Sequence, residues 1–65
     1  MSLDSYTTEQ LQQLSKDLQV SRYADLSLNA TRLINEVRSS DKRNAINGAW
    51  TVTIEIVRNE LKKRN

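Results

Sequence analysis

The chain has 65 residues, with ten Lys or Arg against eight Asp or Glu for a formal net charge of +2, and it contains neither Cys nor His. A chain this short makes one domain at most and buries only about 60% of its extended surface. Without Cys and His, disulfides and the usual zinc ligand sets are excluded as supports, which leaves oligomerisation.

No apolar run approaches the roughly 18 residues of a membrane span, and none has the form of a secretory leader, so a soluble, cytoplasmic protein is expected, with no membrane partner. Charge is unevenly placed. Residues 1–20 carry −2, the stretch from Arg32 to Arg43 carries +2, and residues 58–65 carry +3. Such basic clusters suit phosphate binding, but cations in the last turn of a helix also complement its dipole.

The first element has a defined start. Thr7 and Gln10 have the spacing of a capping box, and Tyr6 and Leu11 fall where a hydrophobic staple closes over it. A helix over about 8–19 follows, with Leu11, Leu14 and Leu18 as its apolar stripe.

From Ser21 the pattern changes phase. Tyr23, Leu26, Ala30, Leu33 and Val37 step by three and four residues as a heptad seam, widened by Ala24 and Ile34, and predict one helix over about 22–38. Leu28 projects onto the polar side of that helix. Ser27 is a candidate N-cap that would instead start a shorter helix.

The last segment admits two periods. Asn47-Gly48 is a type I′ turn signal, and Trp50, Val52, Ile54 and Ile56 alternate with Thr51, Thr53 and Glu55 as in a half-buried strand. At about 100° per residue, however, Ile46, Val57, Trp50, Leu61 and Ile54 fall within one arc of about 80°, which Ala49, Ile56 and Val52 extend to about 200°. A strand would also lack a partner to satisfy its backbone. A helix over about 42–63 is therefore predicted, despite the cost of Gly48 and of the β-branched run. Since one neighbouring helix covers somewhat over 100°, the wide arc implies contacts on two sides. A second copy of the chain is one way to supply them, and a third helix sunk between the other two is the other.

The stretch LQQLSKDLQVSRYADL resembles the first half of helix–extension–helix modules, the class that includes SAP domains and the N-terminal domain of the Rho termination factor. Leu11, Leu14, Leu18, Val20, Tyr23 and Leu26 stand at matching apolar positions, and LINEV stands for the second helix. The resemblance covers about 27 residues and implies nucleic-acid binding. The chain departs from those modules in three ways. Gln19 replaces their usual Gly, the spacing from Leu26 to Leu33 is about two residues longer, and Leu28-Asn29-Ala30-Thr31 stands where their basic residues precede the second helix.

Chemistry is sparse. The acids are scattered, no Asp-rich loop suggests Mg²⁺ or Ca²⁺, and a lone Gly makes no phosphate-cradling loop, so no enzyme, cofactor or metal site is expected. The Asn29-Ala30-Thr31 sequon is read as a chance match. The expected molecule is an all-α, three-helix domain forming a dimeric helical bundle. It is expected to act as a protein-interaction or regulatory module that self-associates, or binds a protein partner, through Trp50, Val52, Ile54, Ile56, Val57 and Leu61. The alternative is a nucleic-acid-binding protein with Arg38, Lys42, Arg43, Lys62, Lys63 and Arg64 on phosphates.

Overall fold

The computed structural model describes residues 3–40 and 46–64, with the side chains of 46 and 47 outside that description. The fold is all-α. Helix α1 spans Thr8–Leu18, a single 3-10 turn spans Tyr23–Asp25, α2 spans Leu28–Ser40 and α3 spans Ile46–Arg64. There is no strand among the described residues.

The start of α1 follows the sequence expectation. Thr7 Oγ1 accepts from Gln10 N at 3.0 Å, and Gln10 Oε1 accepts from Thr7 N at 2.8 Å, so both arms of the capping box are closed. Leu11, fully buried, and Tyr6, packed against the core, occupy the staple positions.

The single helix expected over 22–38 is corrected by the structure. Ser27 ends the possibility of continuing: its Oγ accepts from Ala30 N at 3.2 Å, capping α2, and its hydroxyl donates to Asp17 Oδ2 at 3.1 Å, tying that cap to the last turn of α1. Leu26 is extended, at φ −67° and ψ 142°, and so is Arg22. The apolar spacing survives the break because Leu26 still packs on the core and Tyr23 packs on Trp50. Ala24, by contrast, is exposed, and so is Leu28, the first residue of α2, which accounts for its projection onto the polar side.

Helix α3 is the centre of the fold. It packs against both α1 and α2, and they touch each other less. Ala49, Thr53 and Val57, at successive four-residue steps, are completely buried. Trp50, Ile54, Ile56 and Leu61 flank that line and pack against the core. The wide arc is thus occupied within one chain, its two sides taken by α1 and α2. The radius of gyration, 11.1 Å, matches the roughly 11 Å of a closed 65-residue domain. The predicted start at 42 lies outside the described residues, and Gly48 lies in the first turn of α3, where helix propensity matters least.

Thr53, assigned to neither face by the helical reading, is the one buried polar side chain among those described. Its Oγ1 donates to Ala49 O at 2.6 Å, so the hydroxyl is satisfied by its own helix. At one end of α3, Trp50 Nε1 donates to Leu18 O at 2.8 Å, meeting a carbonyl that the C-terminus of α1 leaves open. At the other end, Arg64 Nη1 and Nη2 donate to Tyr6 O at 2.7 Å and Leu3 O at 3.0 Å. Helices α1 and α3 therefore run antiparallel, pinned at both ends.

Replacing Ser27 by Ala removes a cap and leaves Asp17 one donor short. The expected loss is about 1–2 kcal/mol of unfolding free energy, read by urea denaturation, whereas Ser27→Thr should recover most of it. Equal stability of wild type and Ser27→Ala would mean that the break between Tyr23 and Leu28 is held by something other than this hydroxyl.

Candidate functional site

The residues expected to form an interaction surface on α3 lie mainly toward the chain's own core. Val57 is fully buried and can meet no partner without unfolding. Trp50, Ile54, Ile56 and Leu61 are half-buried against the core cluster, and Val52 is half-buried on the α3 edge away from Trp50. What these residues offer to solvent is a pair of edges rather than a face.

The large apolar side chains most exposed among the described residues are elsewhere. Leu28 is 69% exposed and Tyr23 36%. Tyr23 belongs to the segment between α1 and α2, although the helical reading places it on the seam, and Leu28 opens α2. The misfit of Leu28 was the available signal. Tyr23 is held in place: its ring meets that of Trp50 edge to face, with centroids 6.1 Å apart and planes at 79°, a favoured aromatic geometry. Trp50 is itself fixed by its bond to Leu18 O. Arg22 stands beside Tyr23, paired with Asp25 at 3.2 Å, but the pair is open to water and contributes little to stability. Arg22, Tyr23 and Leu28 are thus exposed within one short stretch of chain, where the Tyr23 ring rests on Trp50 and Ser27 caps the helix that Leu28 begins.

The basic residues divide into two kinds. Arg38, in the last turn of α2, and Lys62 and Lys63, in the last turn of α3, are exposed, and among the described residues they form no ion pair. Arg64 is different. Besides its bonds to the carbonyls of Leu3 and Tyr6, its Nε pairs with Glu60 Oε2 at 3.2 Å, and both side chains are only 20% exposed. Three of its donor atoms are thus used within the chain, where they hold Leu3, 4% exposed, in the core. Lys42 and Arg43 lie outside the described residues. No group of three or more His, Cys, Asp or Glu able to hold a metal ion is found among the described residues, and none of the described helices is long and apolar enough to cross a membrane.

Comparison of the chain with protein-family models, with curated proteins and with solved structures finds no match in any of the three. What the chain does is therefore argued from its own surfaces.

The two kinds of cation separate by stability. Arg64→Ala should cost about 1–3 kcal/mol, the scale of hydrogen bonds to a charged group, and should speed amide exchange in residues 3–6. Lys62→Ala and Lys63→Ala should stay within about 0.5 kcal/mol of wild type. Chemical denaturation with hydrogen exchange checks both, and an Arg64→Ala protein as stable as the lysine variants would remove Arg64 from the fold's supports.

Proposed function

We propose that this chain is a non-enzymatic protein-binding module that engages its partner through the Arg22, Tyr23 and Leu28 corner, backed by Trp50. The exposure of Leu28, 69% at the first position of a helix, is the observation that carries this reading. Covering such a leucine contributes about 1.5–3 kcal/mol. Tyr and Arg are among the residue types that dominate binding energy at protein interfaces. Because Tyr23 is already ordered against Trp50, a partner would not have to immobilise it, and the entropy cost of binding falls accordingly. Self-association belongs to the same proposal in a secondary place: the half-buried edge at Val52 and Ile56 is where a second copy of the chain would sit. A cytoplasmic setting is part of the proposal.

A second reading has its own support. The exposed cations Arg38, Lys62 and Lys63 lack ion-pair partners among the described residues, which suits contact with the phosphates of a nucleic acid. Its signature is salt dependence, with a log–log slope of about −0.9 per phosphate neutralised on duplex DNA. Helix-end cations that only complement the dipoles of α2 and α3 would give weak binding that vanishes near physiological salt.

Affinity capture with wild type and three variants separates these readings. A protein retained by wild type should be lost with Leu28→Glu and weakened about tenfold or more with Tyr23→Ala, a change of about 1.4 kcal/mol. It should be retained with Lys62→Ala/Lys63→Ala. Loss with the lysine variant but not with Leu28→Glu would move the function to the basic helix ends. Sedimentation equilibrium on wild type and Val52→Glu reads self-association in the same samples, and a wild-type mass equal to the monomer would end that part of the proposal.

A further inference from the structure

Helices α1 and α2 lean on α3 and leave between them a groove of about 340 Å³. That volume is at the lower end of the range for ligand pockets. Leu14, 4% exposed, lines its base, and the ring of Tyr6 forms part of a wall. Its rim is rich in carboxamides, with Gln10 and Gln13 on α1 and Asn29 on α2.

Two of these amides have their orientation set by bonds within α1 and its cap. Gln10 Oε1 is taken by Thr7 N, which directs its Nε2 as a donor away from the cap. Gln13 Nε2 donates to Asp17 Oδ1 at 2.9 Å, which leaves Oε1 as an acceptor. The assignments follow from chemistry, since a backbone N–H must meet the amide oxygen and a carboxylate must meet the amide nitrogen. Residues three apart share a helix face and are separated by about 4.5 Å along its axis. The α1 wall therefore offers one donor and one acceptor, the complement of the C=O and N–H groups along an extended polypeptide.

The charges in the groove are arranged to discriminate. Asp17 already accepts from Gln13 and from Ser27, so its carboxylate is satisfied within the fold. Arg32 and Glu36, one turn apart on α2, are exposed and, among the described residues, form no ion pair with each other. Their separation along the helix is about 6 Å, close to the roughly 6.6 Å between alternate residues of an extended strand.

We propose that this groove binds an extended peptide segment carrying an acidic and a basic residue at alternate positions. The acidic side chain meets Arg32 and the basic one meets Glu36. The backbone between them is hydrogen-bonded by the amides of Gln10, Gln13 and Asn29. The site is separate from the Leu28 corner, since neither Tyr23 nor Leu28 lines it, and it stands or falls independently of that reading.

The test is a titration of the isotope-labelled full chain with a capped peptide containing Glu-Ser-Lys between glycines, followed by the side-chain amide signals of Gln10, Gln13 and Asn29. Those signals should shift saturably while the backbone signals of Tyr23 and Leu28 stay in place, and methylating the backbone nitrogen of the central Ser should abolish the effect. Arg32→Glu, on an exposed helix position, should bind Glu-Ser-Lys about twofold to fivefold more weakly and Lys-Ser-Lys more tightly by a similar factor. Arg32→Gln should show the first change without the second. The proposal is overturned if the wild-type signals do not saturate at millimolar peptide, if the methylated peptide binds equally, or if Arg32→Glu keeps the wild-type preference. Movement of the same amides by a single-stranded oligonucleotide, with no response to the peptide, would overturn it too.

Discussion

Everything else in this fold depends on the narrow line that α3 presents inward. Ala49, Thr53 and Val57 are small or β-branched, and each is fully buried, so two helices can approach α3 closely from either side. Among the described elements, α3 packs most closely against both of the others and serves as their common wall. The cost of placing a hydroxyl on that line is removed locally, because Thr53 donates to the carbonyl one turn back and so is not left unmet in the core.

Two polar contacts fix the direction of α1 against this wall. The indole of Trp50 meets Leu18 O at the C-terminal end of α1, and the guanidinium of Arg64 meets Leu3 O and Tyr6 O before its N-terminal end. Both satisfy backbone carbonyls with side-chain donors from the far helix, so each links packing to hydrogen bonding in one step. A third contact, from Ser27 to Asp17, sets where α2 begins. Slippage of α1 along α3 would break the two end contacts together, which gives a small core the specificity that aliphatic packing alone supplies poorly.

The same devices shape the surfaces. The cap at Ser27 places Leu28 at the first position of α2, outside the core, and the bond that fixes Trp50 also steadies Tyr23. Commitment of Arg64 to the N-terminal segment subtracts one cation from the basic end of α3 and leaves Lys62 and Lys63 exposed. Separation of α1 from α2, both leaning on α3, opens the amide-rimmed groove between them. Each candidate surface is thus a by-product of how the core is closed.

The all-α class, three helices, the capping box at Thr7 and Gln10 and the helical period of residues 46–62 were all legible in the sequence, because each depends on local spacing or local hydrogen bonds. The break before Leu28 was visible only as an alternative at Ser27, since a heptad spacing does not reveal that the extended residues between Arg22 and Leu26 can satisfy the same apolar contacts. Of the candidate site, the sequence marked Leu28 as a misfit and Arg38, Lys62 and Lys63 as cations. It gave no sign that Arg64 would be spent on carbonyls 58 and 61 residues earlier in the chain. Nor could the width of the apolar arc on α3 say whether its second neighbour would come from another copy or from the same chain. Periodicity records how much of a helix must be covered, and only the tertiary structure, by setting α1 and α2 on either side of Ala49, Thr53 and Val57, decides by what.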